Sequence, residues 1–88
     1  MTKKTGLKIH INGVVQGVGF RPFVYGLATR FALNGWVRNT SAGVDIEVDG
    51  EKDVLDSFAK ALQDEAPPLS RIDEFTATPV IWAGFRSF

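Results

Sequence analysis

The chain has 88 residues, enough for one hydrophobic core and too few for two, so we expect residues 1–88 to form a single domain. Ten Lys and Arg balance ten Asp and Glu, which excludes a global positive field that would attract nucleic acid or an anionic membrane. The lack of cysteine and the single histidine exclude disulfides, thiolate nucleophiles and Cys or His metal clusters. No stretch is apolar enough for a signal peptide or a bilayer span, so we expect a cytoplasmic protein without membrane contact.

The first part of the chain predicts a strand, a loop and a helix. Residues 7–11 alternate apolar and polar, which is typical of a strand with one buried face. Residues 13–21 contain three glycines and no helical stripe, which predicts a tight loop. Pro22 favours a first helical position, and apolar residues then recur every three or four positions. Asn34-Gly35 is expected to end this helix, which would run to about residue 32.

A hairpin is predicted next. Trp36–Asn39 has strand composition, residues 40–43 have turn composition, and residues 44–48 alternate apolar and acidic. The Asp49-Gly50 pair is typical of a turn and is expected to end the second strand of this hairpin.

The remaining segments predict a helix and one or two strands. Acidic Glu51 and Asp53 suit a helix N-terminus, and an apolar stripe over residues 54–62 indicates a helix that Pro67-Pro68 would terminate. Residues 72–79 indicate a weaker strand, and residues 85–88 a short edge strand. The order βαββαβ predicts an α+β, ferredoxin-like split βαβ sandwich: an antiparallel sheet of four to five strands with two helices on one face.

The glycine-rich loop is the candidate functional site. A loop that runs from a strand into a helix exposes backbone N–H groups, and the helix dipole adds partial positive charge there. Gly17 and Gly19 permit unusual dihedral angles, and the Arg21 guanidinium can donate to two phosphoryl oxygens at once. The predicted phosphate-binding residues are Val15, Gln16, Gly17, Val18, Gly19, Phe20 and Arg21. From loop physics alone, a purely structural loop with an ordinary surface arginine remains the alternative.

The loop differs from the two commonest phosphate motifs. A Walker loop requires Gly-x-x-x-x-Gly-Lys-Ser/Thr, and the dinucleotide fingerprint requires a third glycine that is missing after Gly17-Val18-Gly19. The sequence therefore predicts a phosphoryl site of another type.

Two segments resemble the two-part signature of the acylphosphatase family: Val15-Gln16-Gly17-Val18-Gly19-Phe20-Arg21 and Gly35-Trp36-Val37-Arg38-Asn39-Thr40-Ser41. The resemblance implies that Arg21 and the backbone of residues 15–20 hold the phosphate, and that Asn39 positions the attacking water. It also implies hydrolysis of acyl phosphates without a metal or cofactor, with the substrate's own phosphate accepting the water's proton. Asn39 as a simple turn residue is the alternative to its catalytic role.

Within this family, residues 20–24 and 67–73 resemble the N-terminal domain of hydrogenase-maturation carbamoyltransferases. This resemblance implies carbamoyl phosphate as the ligand and the downstream domains of a longer parent protein as partners. A free-standing acylphosphatase and a non-catalytic carbamoyl-phosphate-binding module remain alternatives. RNA binding is disfavoured, because the aromatic sheet motif of RNA-recognition domains is absent and the net charge is zero.

Overall fold

The structure is a computed structural model that describes residues 3–88. These residues form four strands and two helices in the predicted order βαββαβ. The elements are β1 (Lys4–Val14), α1 (Phe20–Arg30), β2 (Asn34–Thr40), β3 (Gly43–Glu51), α2 (Lys52–Asp64) and β4 (Arg71–Val80). The α+β, ferredoxin-like prediction is confirmed. No helix among residues 3–88 has both the length and the apolar character that a bilayer crossing demands.

The sheet has the order β2-β3-β1-β4, with every neighbouring pair antiparallel. Ile9 of β1 lies opposite Ile46 of β3 and Ala77 of β4. Paired residues share a face of the sheet, so the apolar residues of β1 and β3 line up beneath the helices. The other face carries the alternating polar residues, among them His10, which bonds to Asp45 there.

The core lies between the apolar face of the sheet and the two helices. Each helix contributes the apolar stripe that the sequence predicts, and both central strands contribute three aliphatic residues. The fully buried large side chains are Phe20, Phe58, Ile9, Ile11, Ile46, Leu55, Leu62, Val15, Val24, Val44 and Val48.

Helix α1 begins two residues earlier than predicted. Gly19 is the N-cap residue, with φ 78° and ψ 22°, and Phe20 and Arg21 lie in the first helical turn. The residue before a proline usually avoids helical dihedral angles, but that is only a preference. Pro22 is tolerated as the third helical residue because N–H groups of the first turn have no intrahelical acceptor.

The end of α1 also differs from the prediction. The helix stops at Arg30, and Ala32 adopts φ 55°. The Leu33 N–H donates to the Ala28 carbonyl at 2.9 Å and the Ala32 N–H to the Thr29 carbonyl at 3.0 Å, which is the Schellman pattern. Burial of Leu33 favours this ending, so Asn34-Gly35 belongs to β2 instead of forming the helix stop.

Two strands extend beyond their predicted ends. Strand β1 continues through Val14, because a register shift against β4 between Asn12 and Gly13 lets the ladder absorb the first glycine of the predicted loop. Strand β3 continues through Glu51, so the predicted turn at Asp49-Gly50 is wrong. Pairing of these residues with Thr5 and Gly6 of β1 outweighs their local turn preference.

The predicted short strand over residues 85–88 is also absent from the described structure. One ladder-like bond is present, from the Gly35 N–H to the Ser87 carbonyl at 2.9 Å. The preceding N–H groups are used elsewhere, because those of Ala83, Gly84 and Phe85 donate to the Asp49 carboxylate at 2.7–3.1 Å. This side-chain anchor directs the segment away from regular strand pairing.

Candidate functional site

The glycine-rich loop borders a cavity of about 170 Å³ at the N-terminus of α1. Residues from both parts of the sequence signature line the cavity, although 13 residues separate the two parts along the chain. Its lining residues are Val15, Gln16, Gly17, Gly19, Phe20, Arg21, Pro22 and Asn39. The fold thus brings Arg21 and Asn39 to one concave surface.

The loop presents unused hydrogen-bond donors. Gly17 and Gly19 have φ 73° and 78°, in the left-handed region that favours glycine. A Cβ atom added at either position would meet no heavy atom within 4 Å, so both glycines face open space. Among residues 3–88, no acceptor receives a backbone N–H from residues 16–19. Free N–H groups beside a helix N-terminus form a favourable environment for an anion.

The guanidinium of Arg21 is available beside this loop. Arg21 is exposed and is the second residue of α1. None of the ion pairs formed among residues 3–88 involves it. By contrast, Arg30 and Arg71 are engaged by Glu65 and Asp73. An arginine without a carboxylate partner keeps its planar donors for an external anion.

Asn39 reaches the cavity from the sheet. It is the second-last residue of β2 and lies opposite Val44 of β3, as Val37 lies opposite Ile46. Val44 and Ile46 are core residues, so Asn39 is on the helix-covered face of the sheet. Its position near the end of the strand leaves it exposed next to the start of α1. Asn39 therefore extends the apolar row of β2 with one polar side chain.

The structure separates two of the predicted loop residues from the rest. Val18 does not line the cavity, and its side chain packs against the core. Gln16 does line the cavity, but its side chain also leaves the loop: Nε2 donates to the carbonyls of Thr40 and Gly43 at 2.6 and 3.1 Å. Sequence reasoning missed this link because only the folded hairpin places those carbonyls near the loop.

A larger cavity lies elsewhere on the molecule and suits an anion less well. It has a volume of about 300 Å³ and is lined at its polar side by Lys4, Asp49 and Glu51. These residues lie at the opposite end of β1 and β3 from the loop. Two carboxylates there outnumber the single cation, so the smaller cavity beside Arg21 is the better candidate for a phosphoryl group.

Comparison with known proteins identifies the family. The family model described as Acylphosphatase matches residues 7–88. The chain belongs to the acylphosphatase family. The family prediction from the two signature segments is confirmed.

Two kinds of relative share this domain. An acylphosphatase of Legionella pneumophila is 36% identical over 89 residues, covering 100% of this chain and 97% of that protein. The carbamoyltransferase HypF2 of Cupriavidus necator is 56% identical over 68 residues, covering 77% of this chain and 8% of that protein. The acylphosphatase domain therefore occurs both alone and inside much longer proteins.

A solved structure contains the same fold within a longer protein. The crystal structure of full-length HypF in its phosphate- and nucleotide-bound form matches 100% of this chain with a TM-score of 0.95 and 39% identity. The match covers 12% of that protein. This chain thus spans about a tenth of the length of the HypF relatives that it matches.

Proposed function

We propose that this domain hydrolyses acyl phosphates at the cavity beside Arg21, with carbamoyl phosphate as its ligand. The observation that carries the proposal is the convergence in one cavity of free loop N–H groups, a guanidinium without an internal partner and Asn39. Membership of the acylphosphatase family supports the reaction class.

The loop and Arg21 bind the phosphoryl group in this mechanism. The N–H groups of residues 15–20 donate to its oxygens, and the Arg21 guanidinium donates to two of them. Negative charge on the transferring phosphoryl group is spread over these oxygens in the transition state, so donors fixed in advance lower the barrier. The backbone donors of the loop do not have to reorganise during the reaction.

Asn39 positions the water that attacks phosphorus. Its side-chain oxygen can accept a hydrogen bond from the water and so orient a lone pair of the water oxygen towards the phosphoryl group. The bond from water oxygen to phosphorus forms while the bond from phosphorus to the acyl oxygen breaks. The bonding electrons leave with the carboxylate or carbamate, and the substrate's phosphate takes the proton from water.

The carbamoyltransferase relatives support carbamoyl phosphate as the ligand. HypF2 of C. necator is named a carbamoyltransferase and shares 56% identity with this chain over the matched region. Acyl groups as small as carbamoyl suit a cavity of this volume. We propose that the partners of this domain are the small acyl or carbamoyl phosphate and, when it forms part of a longer protein, the domains that follow it. A single domain over residues 1–88 and a cytoplasmic location both stay predictions.

A non-catalytic module is the second candidate. Long carbamoyltransferase relatives favour it, since a domain inside such a protein could capture carbamoyl phosphate and pass it on. Both functions use Arg21. Only hydrolysis requires Asn39.

The first prediction separates these functions through Arg21→Ala and Asn39→Ala. We expect Arg21→Ala to weaken phosphate binding and lower turnover of carbamoyl phosphate by about 100-fold or more, because one donor to a transition-state anion contributes on that order. Asn39→Ala should lower turnover comparably and leave phosphate affinity within about twofold. Phosphate release measures turnover, and inhibition by inorganic phosphate measures affinity.

Arg86→Ala and Asn12→Ala are the matched controls. Arg86 is exposed in the C-terminal segment, and Asn12 donates to Glu74 and does not line the cavity. Both variants should keep wild-type turnover. Equal losses in controls and site variants would contradict the assignment, while a folded wild type that binds phosphate without turning over would favour the module.

A further inference from the structure

The side chain of Gln16 has a role that the proposed mechanism does not use. Its backbone belongs to the phosphate loop, but its Nε2 atom donates to the Thr40 carbonyl at 2.6 Å and to the Gly43 carbonyl at 3.1 Å. The two acceptors lie 24 and 27 residues further along the chain. One amide group therefore connects the loop to the hairpin between β2 and β3.

The two carbonyls belong to the part of the hairpin that carries Asn39. Thr40 follows Asn39 directly and pairs with Gly43 at the end of the ladder. The Thr40 hydroxyl donates to the Gly43 carbonyl at 3.4 Å and accepts the Ala42 N–H at 3.2 Å. The turn is thus held by its own bonds, and a bond from Gln16 to this turn also restrains Asn39.

An amide suits this position for a chemical reason. The NH₂ group of glutamine has two hydrogens, one for each carbonyl, whereas glutamate would set carboxylate oxygens against two carbonyl oxygens. Methionine has nearly the same length and shape and offers no donor. Gln16→Met consequently removes the link with little change in volume.

The loop itself has other supports. Val15 and Phe20, at its two ends, are each 1% exposed within the core. The Gly19 carbonyl accepts the Phe23 N–H at 3.2 Å and ties the loop to α1. The loop should therefore keep its shape without the Gln16 side chain, while Asn39, exposed near a strand end, depends more on the link.

We propose that Gln16 is a positioning residue that fixes the distance between the phosphate loop and Asn39, and so determines the position of the attacking water. This inference rests on the proposed function of the cavity. A small displacement of water from the line of attack lowers turnover more than it lowers binding of the phosphoryl group.

The second prediction tests this role with Gln16→Met. We expect kcat for carbamoyl phosphate to fall roughly tenfold, while inhibition by inorganic phosphate stays within about twofold. Gln63→Met, at an exposed position of α2, is the matched control and should change neither quantity. In an Asn39→Ala background, Gln16→Met should have no further effect on turnover, because the two residues act on the same water.

The outcomes distinguish this inference from the proposed function. Wild-type kcat in Gln16→Met, or a full tenfold additional loss in the Asn39→Ala background, would overturn the positioning role and leave the acylphosphatase assignment intact. Absence of turnover in both wild type and Gln63→Met would instead contradict the proposed hydrolysis.

A second readout does not require turnover. We expect NMR relaxation dispersion of the backbone amides of residues 39–43 to show new microsecond-to-millisecond exchange in Gln16→Met and none in Gln63→Met. Unchanged relaxation of these amides would overturn the link whether or not the domain is catalytic.

Discussion

Positive φ angles occur at residues of two kinds in this domain. Gly17 and Gly19 adopt them in the loop at no steric cost, and their N–H groups find no acceptor among residues 3–88. Ala32 adopts φ 55° with a Cβ atom present, because the Schellman ending of α1 requires a left-handed residue there. The chain thus carries local strain at the end of α1.

Ala32→Gly is expected to stabilise the domain. A non-glycine residue in the left-handed region costs about 1–2 kcal/mol, and glycine would remove this cost. The greater backbone entropy of glycine in the unfolded chain offsets part of the stabilisation. We expect the free energy of unfolding to rise by about 0.5–1 kcal/mol in urea titrations. Ala59→Gly, inside α2, should lower it by about 1 kcal/mol. If both substitutions destabilised, strain at Ala32 would be excluded.

Asp49 is the one buried charged residue among residues 3–88, with 5% of its surface exposed. Its Oδ1 atom accepts the Ala83 N–H at 3.1 Å, and its Oδ2 atom accepts those of Gly84 and Phe85 at 2.7 and 2.9 Å. These three donors satisfy the carboxylate and hold the C-terminal segment against the sheet.

Asp49→Asn should release this segment. One carboxylate oxygen becomes an NH₂ group facing backbone donors, so at least one N–H loses its acceptor at a cost of about 1–3 kcal/mol. Urea unfolding should report this loss, and amide hydrogen exchange should quicken at residues 83–85. Asp53→Asn, exposed in the first turn of α2, is the control. Unchanged exchange at residues 83–85 would show that the carboxylate does not anchor them.

At the scale of elements, an ion pair joins the ends of the two helices. Arg30, in the last turn of α1, donates to both carboxylate oxygens of Glu65, the C-cap residue of α2, at 2.9 and 2.6 Å. Hydrogen bonding to Arg30 lowers the pKa of Glu65 from its ordinary value of 4.5. The positive charge also offsets the unfavourable placement of a carboxylate at a helix C-terminus.

This pair should make stability depend on pH in acid. Because the folded-state pKa of Glu65 is depressed, its contribution is present above pH 4.5 and is lost as the pH falls through the folded-state value. Glu65→Gln should therefore lower the thermal midpoint slightly at pH 7 and not at all in strong acid. The pair is exposed, so the effect at pH 7 should be small and should shrink in high salt. A difference between the two proteins that persists unchanged in strong acid would exclude this explanation.

Element type could be predicted from periodicity, whereas several element ends could not. The alternation of apolar and polar residues in β1 and β3 and the apolar stripes of both helices reflect burial of one face of each element. This burial can be predicted from the order of the side chains alone. The end of α1 depends on the position at which Leu33 packs into the core. The course of residues 81–88 depends on hydrogen bonds to Asp49. The alternation of Asp49 with Val48 indicates a solvent-exposed side chain, but Asp49 is buried. Both outcomes require contacts that are distant in sequence.

The residues of the candidate site also differ in how far the sequence alone could predict their roles. The loop and Arg21 could be proposed from local chemistry, since glycines between a strand and a helix free backbone donors. Asn39 could be singled out only through the family resemblance, because asparagine before a turn is common. The hydrogen bonds of the Gln16 side chain, by contrast, became visible only when the folded hairpin placed two carbonyls beside it.

For the molecule as a whole, the strand order determines when the site can form during folding. The strand that leads into the glycine-rich loop, β1, is central and pairs with β4, so that Gly6 lies opposite Val80, 74 positions away. Pairings of such long range close slowly, because chain entropy must be lost before the contacts form. On a ribosome, β1 must wait for nearly the entire domain to emerge before it gains its second neighbour. The proposed phosphate-binding site would thus be among the last parts of a newly made chain to form.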